Sequence, residues 1–198
     1  MRYMPVKEAP EATGPKQKLL EAAISFLTER GVSELSLREL AVALGTSHRM
    51  LIYHFGSKEG LLVEVVRTIE QRERAALAQL LDSEHSLIDA ARSFWMRVSD
   101  PSLAPYERLF FEVYGQGLQG QVYARPLLDG IIDSWLDAVS SRLVAQGVPA
   151  SAVRAQARLG VAVVRGLLLD LLATGDRAGV DAAFEQYLAG VAVGRMSR

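Results

Sequence analysis

The chain has 198 residues, enough for one sizeable core or for a small domain joined to a larger one. A hydrophobic fraction of 49% beside 23% charged residues belongs to a globular protein rather than a disordered or fibrous one. The formal net charge of −1 excludes a uniformly basic coat for nucleic acid, and the lack of cysteine excludes a disulfide framework, a thiolate nucleophile and a Cys-based zinc site.

Residues 1–15 contain no continuous apolar run, so they are read as a flexible N-terminal arm and not as a signal peptide. A first helix is expected over 16–30, with Leu20, Ile24 and Leu27 on one stripe, ending at Gly31; Lys16 and Lys18 near its start are within reach of phosphates. Ser36-Leu37-Arg38-Glu39 is a capping box, in which the Ser36 hydroxyl accepts the amide of residue 39 and the Glu39 carboxylate accepts that of residue 36. Leu37, Leu40, Ala41 and Leu44 then recur at helical spacing, and Gly45 supplies the left-handed stop. Thr46 or Ser47 can cap the next helix, which exposes Ser47, His48, Arg49, Met50 and Tyr53 while Leu51 and Phe55 anchor inward. This helix, turn, helix spacing suits a major groove, where side chains near the N-terminal end of one helix reach base edges. Ser57 caps a further helix and places the Lys58 ammonium at a helix start, a clamp for phosphate.

From residue 57 an apolar stripe through Leu61, Val65, Ile69, Leu77 and Leu81 persists for about seven turns, with Glu64, Arg67, Glu70, Arg72, Glu73 and Arg74 assigned to the opposite, solvated side. One long helix is therefore expected to join the N-terminal reader to the rest of the chain. After a polar break at 82–85 only helices are read: 86–98, 105–118, 126–146, 151–173 and a last one carrying Val180, Phe184, Tyr187, Leu188 and Val191. Residues 159–172 fall short of the roughly 18–20 apolar residues of a membrane span and contain Arg165 and Asp170, so a buried helix is expected and no membrane partner. No strand alternation competes anywhere. Small residues such as Gly160, Ala162, Gly166 and Gly190 beside large aliphatics allow the last two helices of two chains to form a four-helix interface, with Val163, Leu167, Leu171, Phe184, Tyr187, Leu188 and Val191 as its expected residues.

The run Leu40-Ala41, Leu44-Gly45, Ser47, Leu51, Tyr53-His54-Phe55 and Ser57-Lys58-Glu59-Gly60-Leu61 resembles the DNA-binding signature of the tetracycline-repressor (TetR) family. The resemblance is strong over 16–62 and only architectural beyond. It implies an all-α fold with an N-terminal three-helix reader at 16–62 and a C-terminal helical regulatory and dimerisation domain at 63–198. It further implies a homodimer in the cytoplasm, binding pseudo-palindromic operator DNA as a repressor and released by a small-molecule effector. The DNA contacts it points to are Ser36, Arg38, Thr46, Ser47, His48, Arg49, Met50, Tyr53, His54 and Lys58. Two positions depart from the pattern: Arg49 stands where many members carry Gly, and Ile52 where most carry Tyr, leaving Tyr53 as the candidate to supply the missing phosphate contact.

Other chemistry is thinly supported. Gly115-Gln116-Gly117-Leu118-Gln119-Gly120 matches a dinucleotide fingerprint, but it lacks a following helix start and a βαβ context, so no cofactor is expected. His48, His54 and His85 lack ligand spacing, there is no nucleophile elbow, and no enzyme is expected. An apolar or aromatic effector is expected among the middle helices, on Phe94, Trp95, Phe110, Phe111, Tyr114 and Trp135. Arg165 and Asp170 are expected to orient it, whereas for these two and Glu112 a dimer-interface salt bridge or plain exposure remains the alternative. The runner-up function is a helical protein that binds a protein or metabolite and keeps the helix-turn-helix only as scaffold.

Overall fold

The computed structural model describes residues 14–30 and 36–196, so most of the expected N-terminal arm, and Gly31 as the stop of the first helix, lie outside the described residues. Among these residues the secondary structure is helical throughout: α1 (Pro15–Arg30), α2 (Leu37–Ala43), α3 (His48–Phe55), α4 (Lys58–Ser83), α5 (Leu87–Val98), α6 (Ala104–Leu118), α7 (Arg125–Leu128), α8 (Ile131–Ala145), α9 (Ala150–Thr174) and α10 (Arg177–Met196). A single 3-10 turn at Pro101–Leu103 precedes α6.

Side-chain caps set the starts of the reader helices. The Glu39 amide donates to Ser36 Oγ at 3.3 Å while the Ser36 amide donates to Glu39 Oε2 at 2.7 Å, closing the capping box. Between the two candidate caps of α3 the structure selects Ser47, whose Oγ accepts the Met50 amide at 3.2 Å. Ser57 Oγ likewise accepts the Gly60 amide at 3.0 Å and starts α4, a helix of 26 residues and so about 39 Å long. The helix expected over 126–146 is instead divided, because Gly130 takes φ 70° and ends the short α7 before α8 begins. Within the fingerprint-like run Gly117 has a packing role: a Cβ there would lie 3.2 Å from the Ala124 carbonyl oxygen and 3.1 Å from Leu128, so glycine lets α6 and α7 close together.

The buried side chains form two large clusters bridged by α4. The first joins α1–α3 and the N-terminal half of α4 to α6, α7 and the start of α8, through residues such as Leu20, Leu51, Leu61, Leu109, Val113 and Leu127. Packing thus continues past residue 62 without a gap. The second unites the far half of α4 with α5, α8, α9 and α10 around Phe94, Trp95, Trp135, Leu168 and Phe184. Polar ties reinforce the first junction: Arg72 Nη2 donates to Glu21 Oε2 at 2.6 Å, Arg67 Nη2 to the Pro126 carbonyl at 2.8 Å, and the buried Tyr106 hydroxyl to the Ile24 carbonyl at 3.0 Å.

Candidate functional sites

The first candidate surface is the outer face of α3. Its inner face is locked by Leu51, fully buried, and Phe55, so the opposite side chains point outward: Tyr53 is 78% exposed, and His48, Arg49, Met50 and Ile52 are also exposed. Arg38 is exposed on α2, and Val42, absent from the expected contacts, is 80% exposed one turn further along the same helix. Five of the expected contacts are helix caps or half-buried. The Ser36 and Ser47 hydroxyls are used as caps, Thr46 is half-buried with its amide donating to the Ala41 carbonyl at 2.9 Å, and His54 is half-buried with Nε2 sealed from solvent and its ring edge-on to Tyr53 at 4.9 Å. Lys58 is half-buried at the first position of α4, and its charge reaches Glu39, whose carboxyl is held below its ordinary value chiefly by the Ser36 amide. Lys16, expected near phosphate, lies over the Phe55 ring at 5.6 Å and pairs with Glu64 at 3.5 Å.

The angle between α3 and α4 depends on Gly60. A Cβ there would stand 2.1 Å from the Phe55 carbonyl oxygen, so the last turn of α3 and the first turn of α4 approach as closely as only glycine permits. Together with Gly56 at φ 76°, which caps α3, this fixes where the outer face of α3 looks.

The second candidate site is a cavity of about 900 Å³ lined by α4, α5, α6, α8, α9 and α10 and open to the surface. Of the residues expected to bind an effector, Phe94, Phe110, Phe111, Trp135 and Arg165 line it. Three do not. Trp95 is buried outside the lining, stacked on Phe184 at 5.0 Å with Nε1 donating to Asp181 Oδ1 at 2.7 Å, a strut between α5 and α10. Tyr114 lies beneath the Arg165 guanidinium at 5.7 Å. Asp170 is exposed on the far side of α9, and Glu112 is exposed on α6, where it accepts from Gln116 Nε2 at 3.3 Å.

Three acidic groups in the lining depart from the sequence expectation: Glu70 and Glu73, expected on the solvated side of α4, and Glu107 on α6, for which no role was expected. Val66, Glu70, Glu73 and Leu77 share one stripe at helical spacing, which is the signal that could have found the first two. Glu73 is 6% exposed and is held by Arg97, whose Nε and Nη2 donate to its two oxygens at 2.7 and 3.0 Å. Glu70 Oε2 accepts from Trp135 Nε1 at 2.7 Å and faces Arg165 Nη2 at 3.5 Å and Arg74 Nη1 at 3.8 Å. Burial raises its carboxyl above the ordinary range, while Trp135, Arg165 and Arg74 oppose that shift. Glu107 is pushed up to about 8, first by burial and then by the charges of Glu70 and Glu73, with Arg165 pulling the other way. The Arg165 guanidinium lies 5.0 Å from the Phe110 ring centre, and its Nη2, though near Glu70, makes no hydrogen bond.

The residues expected at a dimer interface mostly face the interior of their own chain. Phe184 and Leu188 are 1% and 3% exposed in the second core cluster, Tyr187 and Val191 line the cavity, and Val163, Leu167 and Leu171 are half-buried. On α10 the clean stripe at i, i+4, i+7 and i+8 packs against the second core cluster of the same chain. Outward, α9 leaves Leu159, Ala162, Gly166 and Leu169 exposed at helical spacing, and α10 leaves Ala182 and Ala183 exposed.

Comparison with known proteins places these features in context. A family model described as bacterial regulatory proteins, tetR family, matches residues 19–65, which take in most of α1, all of α2 and α3, and the start of α4. The chain is 29% identical over 103 residues to the HTH-type transcriptional repressor KstR2 of Rhodococcus jostii, covering 45% of this chain and 50% of that protein. It is 26% identical over 91 residues to the HTH-type transcriptional repressor NicS of Pseudomonas putida, covering 44% and 43% respectively. The chain thus matches about half the length of these curated relatives. In fold it is similar to a transcriptional regulator from Rhodococcus sp. at a TM-score of 0.74 and 17% identity, covering 91% of this chain and 97% of that one. It is also similar to a TetR transcriptional regulator from Legionella pneumophila at a TM-score of 0.67 and 18% identity, covering 90% and 99%.

Proposed function

We propose that the chain, whose residues 19–65 match the tetR family of bacterial regulatory proteins, is a TetR-type, cytoplasmic, homodimeric, sequence-specific transcriptional repressor that releases operator DNA when a small apolar or aromatic effector fills its cavity. The observation that carries this reading is the outer face of α3, where a capped, inwardly locked helix presents His48, Arg49, Met50 and Tyr53 together. The family is one of regulators, not enzymes.

In this reading two copies of α3 enter successive major grooves. Arg49 reads a base edge, since a guanidinium can bond both acceptors of a guanine, and Tyr53 and Lys58 hold the phosphates on either side. The net charge of −1 makes affinity depend on the placement of a few cations and on the spacing of two readers. The outward face of α9 and α10, small enough in side chain for close helix approach, is the face proposed to pair with a second copy.

Effector control follows from two elements that touch both sites. Helix α4 runs from Lys58 beside the reader to Glu70 and Glu73 in the cavity wall. Helix α6 lines the cavity with Phe110 and Phe111, and its Tyr106 bonds to α1 of the reader. A ligand that displaces α6 or the far half of α4 shifts the two readers away from the separation that matches the operator. By linkage, DNA then weakens the ligand by the same factor.

A gel-shift with DNA flanking the protein's own gene tests the proposal. A discrete complex that survives excess nonspecific competitor is expected; salt-sensitive binding to any sequence alike would instead favour a helix-turn-helix retained as scaffold.

A further inference from the structure

The polar groups of the cavity are arranged for one kind of guest. Arg165 enters from α9 and is held before any ligand arrives, its guanidinium lying over Phe110 at 5.0 Å and Tyr114 at 5.7 Å. Its buried Nη2 is near Glu70 but makes no hydrogen bond. A buried donor without an acceptor is destabilising, and an incoming acceptor relieves that penalty. The carboxylates around it have further partners: Glu73 takes two donors of Arg97, and Glu70, ion-paired with Arg165 Nη2 at 3.5 Å, also accepts from Trp135 and pairs with Arg74 at 3.8 Å. Among the described residues no hydrogen bond or ion pair engages Glu107, whose side chain also borders the cavity.

Resting on the reading of this cavity as the effector site, we propose that the effector is an amphipathic monocarboxylate, its apolar body between the aromatic walls and its carboxylate on Arg165. Charge supports the choice. Burial keeps Glu107 protonated at neutral pH, so the cations of Arg74, Arg97 and Arg165 outnumber the carboxylates of Glu70 and Glu73 by one, and a single negative charge balances the site. Any proton taken by Glu70, which burial also favours, adds to the same surplus. The neutral Glu107 carboxyl supplies a second donor for the guest's other oxygen. An ammonium guest would meet the Arg165 charge instead, and a guest without an acceptor would leave Nη2 unpaired. The volume of about 900 Å³ accommodates a body of drug-like size.

The charged groups facing Glu107 are Glu70 and Glu73 from α4 and Arg165 from α9, with Asp100, Arg108 and Arg177 bordering a shallow pocket on its other side. Above its pKa of about 8, Glu107 changes from donor to like charge, and carboxylate binding weakens.

Calorimetric titration of the full chain with decanoate, decan-1-ol and decylamine tests this. Decanoate is expected to bind about tenfold or more tighter than decan-1-ol at pH 7, the scale of one charge-assisted hydrogen bond. Arg165→Gln should abolish that preference while leaving decan-1-ol binding in place. Glu107→Gln provides the second arm: between pH 7 and 9 the wild type should lose decanoate affinity and the variant should hold it. Equal or tighter binding of the alcohol or the amine, a preference that survives Arg165→Gln, or parallel losses in wild type and Glu107→Gln each overturn the carboxylate assignment alone. If none of the three compounds binds, the cavity as effector site falls with it.

Discussion

Replacing Gly60 by alanine isolates the contact that orients the recognition helix. In most exposed helical positions Gly→Ala stabilises by about 0.5–1 kcal/mol, through helix propensity and a less disordered unfolded chain. At Gly60 the new methyl would sit 2.1 Å from the Phe55 carbonyl oxygen, whereas an ordinary carbon–oxygen contact is about 3.3 Å, so α3 and α4 must separate by about 1 Å. The obstacle is backbone and cannot rotate aside. Overpacking of this kind costs about 1–3 kcal/mol, which outweighs the propensity gain and leaves a net loss of about 1–2 kcal/mol, or about 2–8 °C in Tm for a chain of this size. Gly115→Ala is the matched control, because a Cβ at that helical glycine of α6 meets nothing within 4 Å; it should gain about 0.5–1 kcal/mol. Urea denaturation of both variants, followed by operator titration, gives the comparison. Gly60→Ala should lose both stability and DNA affinity. A stability gain equal to that of Gly115→Ala would refute the claim that α3 is seated by this approach.

Three further outcomes rest on named contacts. Arg49→Ala should cost about 1–3 kcal/mol of specific binding and relax the preference at one base pair; an unchanged profile across operator variants would remove Arg49 from base reading. Tyr106→Phe, which deletes the buried hydrogen bond to the Ile24 carbonyl, should cost about 1 kcal/mol and raise amide exchange in α1, and unchanged exchange there would contradict the proposed link between α6 and the reader. Glu107 binds its proton more tightly folded, up to about 8, than its ordinary value of 4.5. Between those values the folded state holds more protons than the unfolded one, so stability is fullest at the acidic end and is lost as pH rises through 8. Glu107→Gln should flatten that fall in a pH series of melts, and a slope as steep as the wild type's would show that another group is responsible.

The reader is legible in the sequence because its signals are local. Ser36, Glu39, Ser47 and Ser57 satisfy helix-start amides within three residues, and Leu51 and Phe55 define the inner face of α3 by spacing alone. The cavity is legible only in part. Phe94, Phe110, Phe111, Trp135 and Arg165 stand out as aromatics and a lone charge on apolar helices, but Glu70 and Glu73 sit in a charged run that reads as a solvated face. Their burial depends on Trp135, Arg165 and Arg97, which are 24 to 95 residues away in sequence. The stripe on α10 misleads for a related reason: amphipathic spacing identifies a buried face without saying whether the cover comes from the same chain or a second one. Gly130 breaks an apparently continuous helix because its left-handed φ of 70° is a property of the α7–α8 corner and leaves no periodicity to read.

Selection of bound fragments from a random DNA pool tests the central claim most directly. Two readers held at a set spacing predict enrichment of one two-fold-symmetric sequence, its half-sites about one helical turn apart or a multiple of it, with enrichment lost for Arg49→Ala at a single position in each half. Recovery of unrelated fragments, bound equally and released equally by salt, would contradict it.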